Sequence, residues 1–516
     1  MPKDLKAEDA AKLTKLIDCA SDPVFVARVA DVLWIATKDH KYARRAFRAY
    51  LESAHAETDS WVPKRDWLGR AADLAMALGK KAPERAEVTA EVEKLFAASK
   101  ADCFTRERGH WPAALADILI ENCLSSDWEK LGDDCVTIAR GFPIAPGCDE
   151  PRRYYELASR AYQVGGLTAK ANDARLAIAR HWEAEAGAFK AAGGDSFQIS
   201  HRLEQAIHAY RKTGGERERV QVLMRDLKQA NEKMITEMKA VSIPMDVEPL
   251  VREAERMMAG KAGMAALNSY AALYGSAAYE DIRASALSQS QASPLMALIG
   301  AKIITAEGNV AASVPGITDD ETAKIQAMVV QGYTMRQNIA GATTLEVARR
   351  AIGDGADESW RGAVRELVHA SGFVPEDRRD LLEGAVIAGF MGDRVVFAHL
   401  AIPQIENSLR VMFRKRGLPI TTMNAKGIQE ERDPNSLLTD EAAKAVLGEA
   451  LAWEMRSLLI ERIGPNLRNR LCHGLLGADD FDRPAMNVLL WLTVSLLLAC
   501  GSPGGEQERG AANTDQ

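Results

Sequence analysis

The segment that decides the fold class, residues 171–227, reads ANDARLAIARHWEAEAGAFKAAGGDSFQISHRLEQAIHAYRKTGGERERVQVLMRDL. Its apolar residues recur at spacings of three and four, the period of an amphipathic helix. They are Ile178, Trp182, Ala186 and Phe189 in the first stretch, Leu203, Ile207 and Tyr210 in the second, and Val220, Leu223 and Leu227 in the third. Gly193-Gly194 and Gly214-Gly215 separate the stretches. Helices of about fifteen residues joined by such turns are antiparallel hairpins, so the segment predicts a helical array.

The same period extends towards the N-terminus, for example in Trp67, Ala71, Leu74 and Leu78. No strict repeat of fixed length is present, so residues 1–240 are predicted to form an α-solenoid-like helical array. We assign its aromatic residues to the core, because core aromatics are far more common than ligand contacts. We expect an unidentified protein or ligand to bind this array.

Residues 241–374 are predicted to be a mostly helical connecting region with one small β-hairpin near 298–314. Isoleucines and valines such as Ile303 and Val310 flank a Gly308-Asn309 turn there. Such residues on both sides of a tight turn are typical of a hairpin. It is the only hairpin that we predict.

Residues 375–500 are predicted to form a helical bundle. One of its helices carries a buried stripe of Ile405, Leu409, Met412 and Phe413. A polar loop at 424–434 follows, and the segment 485–500 is predicted to be a buried helix that is apolar nearly all round. The tail, 501–516, has no apolar anchor and is predicted to be disordered.

The composition is that of an ordinary globular protein, with 47% apolar and 27% charged residues among 516. The formal net charge of −7 excludes a general cationic field, so a nucleic-acid partner would bind a local basic surface. The seven cysteines are scattered, with no CxxC pair or cluster at metal-ligand spacing. We therefore expect reduced thiols in the cytoplasm, and neither metal nor cofactor. Residues 1–6 lack the apolar core of a signal peptide, and the run 485–500 is short for a membrane span, so we expect no membrane association.

Near the C-terminus lies the motif Asn466-Leu467-Arg468-Asn469-Arg470-Leu471-Cys472-His473-Gly474. Arginine is always charged and suits a phosphate, and histidine exchanges a proton near neutral pH. Together they can serve phosphodiester chemistry without a metal. The spacing alone is weak evidence, because Arg394 and His399 repeat it elsewhere.

The local geometry of the motif follows from helical spacing. Asn466 suits the N-cap of a helix on which Asn469 and His473 share one face. Arg468 falls to the side of His473. A second copy of this helix across a two-fold axis would bring two arginines and two histidines into one cleft.

The motif resembles that of the HEPN superfamily, whose members are small helical bundles. Three stretches in this order are similar to an uncharacterised, mostly bacterial family with a HEPN-like C-terminal domain behind a long helical region. They are Gly392-Asp393, Ala398-His399-Leu400-x-Ile402-Pro403-Gln404-Ile405-Glu406-x2-Leu409-Arg410 and Gly464-x-Asn466-Leu467-Arg468-Asn469-x3-His473-Gly474. The detailed likeness covers residues 294–498.

The resemblance implies a dimer formed through the motif face and, as in many members, a metal-independent ribonuclease of toxin or anti-phage systems. It implies that His473 is general base or acid for attack of a ribose 2′-OH on the adjacent phosphate. Arg468 would bind that phosphate, and Asn469 would position the histidine or contact substrate. Glu406 and Arg410 would orient Arg468 from the neighbouring helix.

Each role has a structural alternative. Glu406 and Arg410 are four residues apart and could form a simple ion pair on a helix surface. His473 could cap a helix end, and Asn469 could be a structural hydrogen-bonding residue. We assign His399, inside a mostly apolar helix, to the core.

Two functions follow as hypotheses. The first is a metal-independent HEPN-type endoribonuclease that leaves 2′,3′-cyclic phosphate ends, in anti-phage defence or stress response, with RNA as substrate. The alternative is a non-catalytic HEPN-like module for dimerisation or nucleotide binding in a helical scaffold. In either case we expect a homodimer through residues 375–500 that buries the 485–500 helix and the motif helix.

Overall fold

A computed structural model of the chain describes residues 7–58, 60–104, 110–145, 147–239, 244–305, 307–423, 427, 429–432 and 434–500. These residues are mainly α-helical, with two short antiparallel strand pairs, which confirms the predicted fold class. The predicted disordered tail, 501–516, lies outside the described residues. None of the described helices is both long and apolar enough to cross a bilayer.

The chain divides into two compact units. Unit 1 comprises Met1–Lys239 and Ala306–Gly308, and unit 2 comprises Ala240–Thr305 and Asn309–Gln516. The helices of unit 1 are α1 (Ala7–Cys19), α2 (Pro23–Thr37), α3 (His40–Ala56), α4 (Trp61–Leu78), α5 (Pro83–Ser99), α6 (His110–Glu121), α7 (Trp128–Gly141), α8 (Glu150–Val164), α9 (Thr168–Ala191), α10 (Ser196–Thr213) and α11 (Arg217–Glu237). A 3-10 helix, Lys100–Asp102, follows α5. The helices of unit 1 pack mainly against their neighbours in sequence, as in an array of helical hairpins.

Glycines form the turns of the 171–227 segment. Gly193, just after α9, has φ of 71°, and Gly214, just after α10, has φ of 73°. These left-handed values are unfavourable for a residue with a Cβ atom. The backbone N–H of Gly214 donates to the carbonyl of Tyr210 and so satisfies part of the helix end.

A buried carboxylate ties three helices of unit 1 together. Glu185 of α9 is fully buried and accepts a hydrogen bond of 2.5 Å from Nη1 of Arg152 on α8. Its other oxygen lies 3.1 Å from Nε of Arg202 on α10. The guanidinium carbons of the two arginines lie 3.5 and 3.8 Å from the ring centroids of Trp182 and Phe189. Both aromatic rings therefore pack within unit 1, each against a guanidinium. A buried cation is costly unless it is paired, and here the rings and Glu185 supply the partners.

Unit 2 contains the remaining helices and both strand pairs. Its elements are α12 (Glu248–Met258), α13 (Gly263–Ala272), α14 (Tyr279–Ala292), α15 (Pro294–Leu298), β1 (Ala301–Ile304), β2 (Val310–Val314), α16 (Glu321–Ala342), α17 (Thr344–Gly353), α18 (Ser359–Ala370), α19 (Arg379–Phe390), α20 (Arg394–Lys415), β3 (Thr421–Met423), β4 (Gln429–Glu431), α21 (Pro434–Leu438), α22 (Glu441–Leu447), α23 (Glu449–Leu459), α24 (Leu467–Cys472), α25 (Ala478–Phe481) and α26 (Ala485–Ala499). A 3-10 helix, Glu376–Arg378, precedes α19.

The hairpin predicted near 298–314 is present as the antiparallel pair β1 and β2, with an irregularity between Ile303 and Ile304. The prediction of a single hairpin is wrong, because β3 and β4 form a second pair with Thr421 opposite Glu431. All six residues of β3 and β4 are exposed. Strands this short and exposed carry no alternation of apolar and polar residues, so the sequence offers no signal for them.

Helix α26 lies at the centre of unit 2. Every residue from Ala485 to Val494 is buried, and the helix packs against α13, α16, α17, α18, α19, α20 and α23. The surrounding core runs from Met258 to Leu497 and draws on both the 241–374 and the 375–500 regions. The apolar helix on which we based the predicted dimer is thus covered within one chain, and its burial gives no argument for a second copy.

A partly buried carboxylate joins three helices of this core. Glu346 of α17 accepts hydrogen bonds from Arg349, Arg350, Arg394 of α20 and Asn487 of α26, at 2.6–3.1 Å. Burial by itself raises the pKa of Glu346, but the hydrogen bonds from Arg349 and Arg350 outweigh it and lower the pKa to about 2. The ionised form of Glu346 therefore stabilises unit 2.

Glu346→Gln should lower the free energy of unfolding at neutral pH by about 3 kcal/mol, since the carboxyl pKa in an unfolded chain is roughly 4.3. A depressed folded-state pKa contributes stability that is complete above about pH 4.3 and is lost as the pH falls towards 2. The difference between the two proteins should therefore shrink in acid. Urea denaturation followed by circular dichroism at several pH values measures it.

Glu366→Gln is the matched control, because Glu366 is an exposed glutamate of α18. It should change the free energy of unfolding by no more than about 0.5 kcal/mol. Equal stability of the Glu346 and Glu366 variants at neutral pH would contradict the stabilising role of Glu346.

Candidate functional site

The motif begins in a tight turn before α24. A Cβ atom on Gly464 would lie 2.1 Å from the carbonyl oxygen of Ser457, so only glycine fits there. Asn466 holds the predicted N-cap position, but its backbone is left-handed, with φ of 51° and ψ of 39°. Its side chain makes no capping hydrogen bond, because a capping side chain requires an extended backbone. Instead its Oδ1 accepts a 2.7 Å hydrogen bond from Nδ2 of Asn469.

Arg468 is held by a carboxylate of the neighbouring helix α20. Its Nε and Nη2 donate to the two oxygens of Glu406, at 2.9 and 3.3 Å. Arg410, one turn further along α20, donates to the same carboxylate at 2.5 Å. The three side chains are mostly buried, with 15–21% of each exposed. Glu406 and Arg410 thus form the i,i+4 ion pair that the sequence allows, and Glu406 also reaches Arg468.

Asn469 uses its side chain within the motif. Its Nδ2 donates to Asn466 and, at 3.4 Å, to the carbonyl oxygen of Ile460, while its Oδ1 accepts from Nη1 of Arg468 at 3.1 Å. These contacts fix Arg468 and the preceding turn. Among the described residues, no hydrogen bond joins the Asn469 side chain to the imidazole of His473, which favours the structural alternative for this residue.

His473 lies at the C-terminal end of α24. Its backbone N–H donates to the carbonyl of Asn469 at 3.1 Å, and Gly474 follows with φ of 65°. His473 is exposed, and its imidazole makes no hydrogen bond or ion pair within the described part of the chain. The ring is therefore accessible from solvent.

The arrangement separates the two main side chains of the motif. An α-helix rises about 1.5 Å and turns about 100° per residue, so Arg468 and His473 differ by roughly 7.5 Å along α24 and about 140° around it. One copy of α24 splays them apart. Glu406, Arg410 and Arg468 together carry a formal charge of +1, and Glu431, 3.7 Å from Nε of Arg410, offsets it.

The pair with the same spacing, Arg394 and His399, lies in a different environment. Arg394 pairs with Glu346 and with Asp482, at 2.8 and 3.1 Å. The assignment of His399 to the core is wrong, because His399 is exposed. Its Nδ1 lies 2.8 Å from the carbonyl oxygen of Val395, and its ring stacks on Phe481. It lies on a part of α20 that faces solvent. Its apolar neighbours in the sequence suggested burial, but they lie on the other faces of the helix.

The structure also brings together three side chains that we did not single out in the sequence. They are His369 at the end of α18 and Asp380 and Glu383 in the first turns of α19. The signal in the sequence is a pair of carboxylates one helical turn apart, after a histidine that ends the preceding helix.

Comparison with known proteins concerns the other unit. Residues 1–87 match the model of a family described as "Domain of unknown function (DUF7380)". This range covers α1 to α4 and the beginning of α5, within unit 1. No curated protein matches the chain. The family match includes none of the motif residues, which all lie in unit 2.

Glu406→Gln should lower the free energy of unfolding by about 1.5–3 kcal/mol, because it leaves Arg410 and Arg468 side by side without their shared carboxylate. His473→Ala should change it by about 0.5 kcal/mol or less, since the imidazole is exposed and has no partner to lose. Urea denaturation of the two variants and the wild-type protein compares the two effects. Equal stability of all three proteins would contradict the packing described for Glu406.

Proposed function

We propose that unit 2 carries a metal-independent HEPN-type endoribonuclease site formed by Arg468 and His473, with Asn469 in support. The observation that supports the proposal most is a contrast within one short helix. The imidazole of His473 is exposed, whereas the guanidinium of Arg468 is fixed by Glu406 from a second helix. A solvent-accessible imidazole and a preorganised guanidinium are the two groups that metal-independent cleavage of a phosphodiester needs.

In the proposed reaction, His473 takes the proton of a ribose 2′-OH, and the 2′ oxygen attacks the adjacent phosphorus. The bond between phosphorus and the 5′ oxygen breaks, and that oxygen takes a proton from a second histidine. The products are a 2′,3′-cyclic phosphate and a 5′-hydroxyl. Arg468 stabilises the charge that develops on the phosphate oxygens, and Glu406 keeps its planar guanidinium in one orientation.

The second histidine is proposed to come from a second copy of the chain. With α26 buried inside unit 2, the proposed dimer rests on the exposed end of α24 alone. Leu475 lies there beside His473, and 62% of its surface is exposed. A two-fold axis at this end would bring two imidazoles together, one as base and one as acid, and would cover the leucine.

The cellular role is part of the same proposal. The resemblance of unit 2 to HEPN domains favours an effector of anti-phage defence or stress response in the cytoplasm. Unit 1, as a helical array, would then bind the protein or ligand that controls cleavage, because arrays of this kind present extended surfaces.

Two contacts favour the alternative, a non-catalytic module for dimerisation or nucleotide binding. Glu406 already neutralises part of the charge of Arg468, and Asn469 spends its hydrogen bonds on the turn before α24. Both contacts would be equally useful in a motif that serves only the architecture of unit 2.

His473→Ala should reduce cleavage of a mixed-sequence RNA by roughly 10²–10⁴-fold, the usual effect of losing a general acid–base residue. Arg468→Ala should cause a similar loss, because the positioned guanidinium disappears. Wild-type cleavage should persist in excess chelator and leave 2′,3′-cyclic phosphate ends. Gel analysis of end-labelled RNA, with enzymatic identification of the ends, measures all three.

His399→Ala is the matched control. It removes an exposed histidine that follows an arginine by five positions, as His473 follows Arg468, and it should leave cleavage unchanged. Arg394→Ala is unsuitable, because Arg394 binds Glu346 in the core. Cleavage by His473→Ala at the wild-type rate, with an unchanged fold, would refute the enzyme proposal. A wild-type protein that binds RNA but never cleaves it would support the non-catalytic module.

The proposed dimer should appear in light scattering as twice the mass of one chain at micromolar concentration. Leu475→Asp should shift the mass towards one chain, because it places a charge at the proposed two-fold contact. Leu295→Asp, at another leucine that is 70% exposed, should leave the mass unchanged. One chain's mass for the wild-type protein over this range would count against the dimer.

A further inference from the structure

A histidine and two carboxylates converge on the surface of unit 2, where α18 meets α19. His369 lies in the last turn of α18, and Asp380 and Glu383 lie one turn apart on α19. One ligand atom from each side chain lies within 4.8 Å of the other two. The exposed fractions of the side chains are 37%, 95% and 20%, so the group is open to solvent on one side.

The distances fit a small metal ion. Nε2 of His369 lies 3.1 Å from Oε2 of Glu383 and 3.7 Å from Oδ1 of Asp380. A tetrahedral Zn²⁺ ion with bonds of about 2.0–2.1 Å holds its ligand atoms roughly 3.3 Å apart. The two observed separations lie on either side of that value, and an ion bound here would replace the hydrogen bond between His369 and Glu383.

The backbone that carries these residues is fixed. Ser371, next to the end of α18, donates through Oγ to the carbonyl oxygen of Leu497 at 3.0 Å. The N–H of Gly372 donates to the carbonyl oxygen of Cys500 at 2.9 Å. Both helices also pack on α26 and on each other. The backbone positions of the three ligands are thus held near one another by the fold, which lowers part of the entropic cost of binding an ion.

We propose that His369, Asp380 and Glu383 form a binding site for a divalent transition-metal ion of the zinc class, which clamps α18 to α19. One imidazole nitrogen and two carboxylate oxygens suit zinc-class ions, whereas Mg²⁺ and Ca²⁺ prefer oxygen ligands alone. Three protein ligands leave a fourth position for water or an exogenous ligand. The site shares no residue with the motif of α24, and the proposal is independent of the ribonuclease activity.

The test is calorimetric titration of the metal-free full-length protein with Zn²⁺ and, separately, with Mg²⁺. The wild-type protein should bind one more equivalent of Zn²⁺ than His369→Ala, and Zn²⁺ should bind at least about 100-fold more tightly than Mg²⁺. Asp380→Asn should weaken this site by about 100-fold or more, since losing a ligand costs more than losing an outer-shell partner. One equivalent of Zn²⁺ should raise the melting temperature of the wild-type protein but not of His369→Ala.

The comparison between variants decides the outcome, because exposed thiols such as Cys472 can bind zinc by themselves. His399→Ala removes an exposed histidine with no carboxylate partner and should bind Zn²⁺ like the wild-type protein. Asp380 is almost fully exposed, so its variant tests the ligand without disturbing the fold. Zn²⁺ uptake that is the same in the wild-type protein, His369→Ala and Asp380→Asn would overturn the proposal.

Discussion

The burial of α26 is the constraint on which unit 2 depends. An almost wholly apolar helix has no face for water, so the surrounding helices must cover all of it. The few polar groups that it carries then fix its position. Asn487 donates to Glu346 and to the carbonyl of Gly341, at 2.9 and 2.8 Å, and Trp491 donates through its indole nitrogen to the carbonyl of Ala271 at 2.9 Å. An unsatisfied amide or indole N–H inside this core would cost free energy, so these bonds select one register for the helix.

Leu467 packs the motif helix α24 against that core, and the side chains further along the helix are progressively more exposed. Leu467 is buried, Arg468 and Asn469 are only partly exposed within a hydrogen-bonded group, and His473 is exposed. This gradient means that the same residues stabilise the bundle at one end of the helix and present a titratable group at the other. Arg468 has both roles. Its ion pair with Glu406 joins α24 to α20, and its guanidinium is the proposed phosphate-binding group.

The sequence predicts what depends on local periodicity and turn chemistry. The helices of 171–227 and the hairpin around Gly308-Asn309 follow from such patterns. The pair β3 and β4 does not, because its exposed three-residue strands have no apolar face. The left-handed backbone of Asn466 is also invisible, since asparagine suits an N-cap equally well. Contacts such as Glu406 with Arg468, 62 positions apart, arise only from the tertiary fold and were expected solely from the family resemblance.

The order of the elements along the chain has a consequence for synthesis on the ribosome. In unit 1 each helix meets its partner as soon as the next helix has emerged, so the array can form progressively. In unit 2 the central helix α26 is made after every helix that covers it. Because synthesis proceeds at about 5–20 residues per second, many seconds pass between the synthesis of α13, α16 and α19 and that of α26, against which their apolar faces pack. Nascent unit 2 therefore exposes the apolar faces of these helices to water until residues 485–499 are available.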